Sequence, residues 1–159
     1  MVFGIDPGKS GAIVSLNKRG ELDSAWPMPE KDMTLRGVLA AVISCNCPIF
    51  IERIPKYTGK AQSGSSVATL FSNYRYIVGY LDAHDADFTE VVPQVWMKPH
   101  RLATPDWQVL TYSKRKKCLH DIALEYFDVC KDVLPRWAAD ASLIALHGHG
   151  AGASKQNHE

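Results

Sequence analysis

A chain of 159 residues, 46% hydrophobic and 22% charged, is long enough for one domain with a real core and has an ordinary globular composition. Its net charge of +1 excludes a bulk polycation, so any nucleic-acid surface must come from local segregation of cations. No apolar run reaches membrane-span length, no charged-then-apolar leader is visible, and Cys45, Cys47, Cys118 and Cys130 suit neither a zinc knuckle nor a disulfide framework; a cytosolic protein with reduced thiols is expected.

The opening stretch, Met1 to Ser15, predicts a short strand that ends in a lone carboxylate, Asp6, followed by the turn Pro7-Gly8-Lys9-Ser10-Gly11. Ala12 to Leu16 reads as a second strand and Glu21 to Trp26 as a third, joined by a hairpin-type turn at Asn17-Lys18-Arg19-Gly20. Asp32 or Thr34 can cap a helix with Leu35, Val38, Leu39, Val42 and Ile43 at helical spacing. Pro48 to Pro55 is a nearly continuous apolar run, as in a strand buried on both faces, and it too carries a carboxylate near its end, Glu52.

Tyr57 to Ser66 reads as a flexible polar loop, before a long helix striped by Val67, Leu70, Phe71, Tyr74, Ile77, Val78 and Leu81. Phe88 to Val92 predicts a fifth strand stopped by Pro93, and Gln94 to Asp106 an irregular segment. Ser113 can cap the next helix, with Leu119, Ile122, Ala123, Tyr126 and Phe127 on its apolar stripe. Pro135 suits the first turn of a last helix, Trp137 to about His147, stopped by Gly148-His149-Gly150. The expected organisation is one domain over residues 1–150 and a disordered tail over 151–159. This order of elements describes an α/β sheet, with a three-strand antiparallel meander and helices on both faces.

Ligands in such sheets gather at the carboxyl ends of central strands, where Asp6 and Glu52 lie. A third acid, Asp140, sits among small and apolar residues in Ala138-Ala139-Asp140-Ala141-Ser142-Leu143. Carboxylates held together in apolar frames repel unless a cation joins them, and an all-oxygen set favours Mg²⁺ or Mn²⁺ over zinc.

Three pieces, G-I-D-P-G-K-S-G-A at Gly4 to Ala12, I-E-R-I-P at Ile51 to Pro55 and A-D-A-S-L-I-A-L at Ala139 to Leu146, give the chain its resemblance. Together they make it similar to the RuvC-like Holliday junction resolvases of the RNase H-like superfamily, above all to phage-borne members and the plant chloroplast resolvase. The resemblance implies an RNase H-like mixed sheet and a homodimer that clasps a four-way DNA junction and nicks two strands symmetrically. It implies Asp6, Glu52 and Asp140 as ligands of two Mg²⁺ ions, with Mn²⁺ as a substitute, Asp6 bridging them. Such a pair, about 3.5–4 Å apart, activates a water and stabilises the leaving oxygen. The resemblance also places Lys98 and one of Lys114 or Lys116, here taken as Lys116, beside the metals, and makes Tyr57 the candidate for an aromatic wedge. One departure stands out: the fourth acid or His, a helical turn before the last Asp, is replaced by Pro135-Arg136-Trp137. Asp132 lies upstream of the proline, and His147 is two helical turns beyond Asp140.

Lys114-Arg115-Lys116-Lys117 is the densest run of charge and falls in the first turn of a helix, against the macrodipole, which suggests an external anion. Lys56, Tyr57 and Lys60 in the loop after Glu52, Arg75 on the long helix, and Lys98 complete the DNA-contact set. His84, His100 and His120 read as surface or core residues. No membrane or nucleotide cofactor is expected. Other readings are a further RNase H-like nuclease, such as an rRNA-processing YqgF-like protein or a guide-free nickase, and a junction-binding protein with weakened catalysis. A sugar-kinase or actin-like ATPase is disfavoured by length, and the first turn lacks P-loop spacing.

Overall fold

The computed structural model describes residues 1–30, 32–54 and 64–156. Five strands form one mixed sheet: β1 (Val2–Asp6), β2 (Ala12–Leu16), β3 (Leu22–Pro27), β4 (Ile49–Glu52) and β5 (Phe88–Val91), in spatial order β3-β2-β1-β4-β5. The meander β1-β2-β3 is antiparallel, and β4 and β5 continue it in parallel. The expected α/β architecture is therefore the observed one.

Alternation along β1 and β4 sorts their side chains onto two faces. Phe3, Ile5, Ile49 and Ile51 pack beneath α1 (Asp32–Ser44) and α2 (Gly64–Ala83), against Leu35, Leu39, Tyr74, Ile77 and Leu81. Val2, with Val14 and Leu16 of β2, faces α5 (Tyr112–Phe127) and α6 (Ala139–Gln156), against Leu119, Ala123, Leu143 and Ile144.

Helix α6 lies unusually close to the sheet because small residues line the contact. A methyl group on Gly4 of β1 would collide with the Ala141 carbonyl oxygen and the Ala145 backbone nitrogen, and one on Gly148 would enter the Phe50 ring of β4. This close packing corrects the reading of Gly148-His149-Gly150 as a helix stop. The helix continues through these residues to Gln156, because Gly148 serves a contact rather than a terminus.

Other boundaries also differ from expectation. The segment Gln94 to Asp106 is not irregular throughout: α3 (Pro93–Trp96) and α4 (Lys98–Ala103) run through it, and a 3-10 turn at Trp107–Val109 follows. Prolines at the first turns of both helices suit these short starts. Thr111 rather than Ser113 caps α5, its side chain accepting from the Lys114 backbone N–H. A 3-10 turn, Arg136–Ala138, intervenes between Pro135 and α6. The cysteines are free thiols, and no described helix is long and apolar enough to cross a membrane.

Candidate active site

The β1–β4 register pairs Gly4 with Phe50 and Ile5 with Ile51, so Asp6 and Glu52 emerge side by side at the carboxyl ends of adjacent parallel strands. Even-numbered positions of both strands face α6, and Asp140 occupies the first turn of that helix. Asp140 is buried, and its Oδ2 accepts a hydrogen bond from Nζ of Lys116 on α5. Four charged groups from two strands and two helices thus meet at one end of the sheet. The Asp6 carboxylate also accepts from the Gly8 backbone N–H at 3.1 Å, so the Pro7-Gly8 turn wraps its own acid.

Removal from water is the dominant influence on these groups. Burial, reinforced by Asp140, raises the Asp6 carboxyl above the usual range against the opposing pull of Lys116 and the Gly8 amide. Burial and the neighbouring Asp6 and Asp140 push Glu52 from 4.5 up to about 8, opposed by Lys116 and Trp96. Desolvation works to lower Lys116, but the Asp140 and Asp6 carboxylates outweigh it and hold the ammonium above its ordinary value. The Trp96 indole N–H is buried without a full hydrogen-bond partner, yet it stands close enough to Glu52 to favour the carboxylate charge. The arrangement is a cluster of acids short of positive charge, partly neutralised by one lysine.

The donor set suits a hard divalent cation: Asp6, Glu52 and Asp140 offer only oxygen, and Asp140 already holds a cationic group, the Lys116 ammonium. Among the described residues no three carboxylate, imidazole or thiol groups converge closely enough to hold a metal ion as they stand.

A cleft of about 440 Å³ opens beside these acids, with Glu52 and Asp140 at one end and Trp96, Trp107, Tyr112 and Arg115 along its walls. The basic run divides by helical rotation. Lys116 enters the site, and Arg115 donates from Nε to the Trp107 carbonyl and from Nη2 to the Gln108 carbonyl. Lys117 pairs with Asp121 at 2.9 Å, and Lys114 is exposed. Lys98 is exposed on α4 and does not line the cleft, whereas Arg101 of the same helix does. Arg75 is exposed on α2, on the opposite face of the sheet from α6. Lys56, Tyr57 and Lys60 lie outside the described residues.

Neither substitute for a fourth acid reaches the site. Trp137 and Asp132 line a separate depression with Leu22 to Ala25 of β3. His147 stacks edge-on against Phe50, one inward-facing position back along β4 from Glu52. His120 bonds the Leu134 carbonyl, and His84 bonds the Tyr80 carbonyl. Sequence reasoning missed the cleft residues Gln94, Trp96, Arg101, Trp107 and Tyr112. The available signal was Trp96, Arg101 and Trp107 between Pro93 and α5, with Tyr112 at the first position of α5, which periodicity alone could not assign.

No protein-family model matches the chain, and no curated protein matches it in sequence. Solved structures do. The structure titled T. thermophilus RuvC in complex with Holliday junction substrate superposes with a TM-score of 0.62 at 14% identity, over 96% of this chain and 94% of that one. A second Thermus thermophilus RuvC structure gives 0.58 at 14% identity, over 96% of both chains. The mixed sheet and its flanking helices are thus an RNase H-like fold of the kind found in RuvC.

Proposed function

We propose that this protein is a structure-selective endodeoxyribonuclease that resolves four-way DNA junctions by metal-dependent phosphodiester hydrolysis. The observation that carries the reading is the convergence of Asp6, Glu52, Asp140 and Lys116 at the carboxyl ends of β1 and β4 in an RNase H-like fold. The solved relative bound to a Holliday junction supports branched DNA as substrate. Asp6, Glu52 and Asp140 would hold Mg²⁺ or Mn²⁺, two ions in a full site, and the bound metal would supply an activated water and charge stabilisation at the leaving oxygen.

The chain's own residues supply the rest. Asp6, Glu52 and Asp140 would fix where the reacting phosphodiester sits. Lys116, displaced from Asp140, is a local positive charge for a non-bridging phosphate oxygen. Lys98, Lys114, Arg115, Lys117 and Arg75, with Lys56, Tyr57 and Lys60, are the proposed DNA contacts, and a homodimer suits symmetric nicking. The domain is assigned to residues 1–150.

The test is incubation of a labelled four-way junction with Mg²⁺ or Mn²⁺, comparing wild type with Asp6→Asn and Asp140→Asn. Paired symmetric nicks by wild type and losses above about 100-fold in both variants are expected. No cutting in either metal overturns the enzyme reading, and full activity in either variant overturns the site.

A second reading, junction binding with weakened cleavage, is favoured by one observation. Trp137 stands in the turn before Asp140 and lines the depression against β3. Under that reading binding persists while Mg²⁺ leaves the junction whole.

A further inference from the structure

The cleft beside the carboxylates is also lined by residues to which the nuclease reading gives no role: Gln94, Trp96, Arg101, Trp107, Gln108 and Tyr112. It is continuous with the acids, since Glu52 and Asp140 form one end of it. Its volume of about 440 Å³ falls within the range of small-molecule sites. Trp107 and Tyr112 supply aromatic walls, and Arg101, Arg115 and Lys116 supply positive charge.

Two features distinguish this cleft from an accidental gap. The Arg115 guanidinium is fixed by the Trp107 and Gln108 carbonyls and lies 5.9 Å from the Trp107 ring centre, so it holds the 3-10 turn that carries the aromatic wall. The Trp96 indole N–H, 1% exposed at the cleft wall, is without a full hydrogen-bond partner among the described residues. Opposite them Tyr112 is held 72% exposed, its ring 5.8 Å from the Lys116 ammonium. A large aromatic kept in solvent beside a cation suits a flat, electron-rich partner attached to an anion.

We propose that this cleft receives one unpaired nucleobase of the DNA strand whose phosphodiester lies at Asp6, Glu52 and Asp140. The inference rests on the nuclease reading and adds a specificity device to it. The base would stack on Tyr112 and turn a polar edge toward Gln108 or Gln94. Arg101 and Arg115 would meet the adjoining backbone. Base–aromatic stacking tolerates sequence, because every base has a π-face. A base in intact duplex is covered on both faces, so the cleft selects strands at branch points or frayed ends.

The experiment uses four-way junctions and matching duplexes with 2-aminopurine at successive positions around the branch, in EDTA so that the DNA stays intact. Fluorescence reports unstacking of the base, and anisotropy reports binding. Wild type is expected to raise the fluorescence of one position in the junction and of none in the duplex. Tyr112→Ala should abolish that rise and weaken junction binding about 5- to 100-fold, and Tyr112→Phe should restore both. Tyr112 is exposed, so the alanine variant should keep the wild-type thermal midpoint. Junction binding with no responsive position, an equal response in duplex, or an unchanged Tyr112→Ala variant overturns the base pocket and leaves the nuclease reading standing. Failure of wild type to bind the junction at all overturns both.

Discussion

The Lys116 ammonium and the Asp140 carboxylate join α5 to α6 at the point where two strands deliver Asp6 and Glu52. The lysine neutralises buried acids that otherwise face one another with little positive charge to offset them.

Lys116→Met keeps the aliphatic stem and removes the charge. The metal-free protein should lose about 1–3 kcal/mol in urea unfolding at neutral pH, because Asp140 is left buried without its donor. The Lys116→Met, Asp140→Asn double variant should recover much of that loss. Additive losses in the pair would mean that the two groups do not interact.

Glu52 sets a pH dependence of definite sign. Its carboxyl titrates near 8 in the folded chain against 4.5 for an ordinary glutamate, so the folded state binds more protons across that interval. Metal-free stability is therefore greatest at the acid end of the window and falls as pH rises from about 4.5 to 8. The fall should be on the order of a few kcal/mol, and Asp6, also raised, adds to it. Glu52→Gln should make the slope shallower. A metal-free protein that gains stability between pH 5 and 8 would contradict the assignment.

Divalent cation should relieve the same strain. Mg²⁺ or Mn²⁺ should raise the thermal midpoint at pH 8, each tenfold excess over Kd adding about 1.4 kcal/mol, and EDTA should reverse it. Asp6→Asn should abolish the cation effect while raising metal-free stability. A midpoint indifferent to both metals would remove the metal from the proposed mechanism.

The fold was legible because its signals are local and redundant. The short apolar runs of β1, β2 and β4, bounded by turn residues, and the helical stripes of α1 and α2 each point to one answer. The acids were legible because Asp6, Glu52 and Asp140 interrupt apolar surroundings, where a charge needs a reason. The cleft was not. Trp96 and Trp107 acquire meaning only through α3 and the 3-10 turn, elements too short for periodicity to register, and Tyr112 only through its place at the first position of α5. Gly148 was misread for a related reason: a glycine that ends a helix and one that admits a phenylalanine ring look alike in sequence.

The basic run makes separable predictions. Lys114→Ala should weaken DNA binding evenly across sequences and reduce the salt slope by about one. Arg115→Met should in addition speed amide hydrogen exchange near residues 107–109, since its guanidinium holds two carbonyls there. Unchanged exchange in that variant would refute the tie between Arg115 and the 3-10 turn.

Glycine substitutions test the packing of α6. Gly4→Ala and Gly148→Ala should each cost about 1–3 kcal/mol, because backbone or an aromatic ring blocks the new methyl. Gly79→Ala, with open space around it in α2, should stabilise by about 0.5–1 kcal/mol. Gly4→Ala should also reduce cleavage beyond its effect on the folded fraction, whereas Gly79→Ala should not.

Gly4 stands two residues before Asp6, and Ala141 stands one after Asp140. The spacing of the acidic cluster is therefore set largely by main chain resting on main chain, with only the short, rigid Ala145 methyl beside it. Elsewhere in the core a lost methylene can be absorbed by neighbours sliding inward. Here an added one meets backbone that cannot repack, so residues that carry no charge fix how closely α6 brings Asp140 to β1.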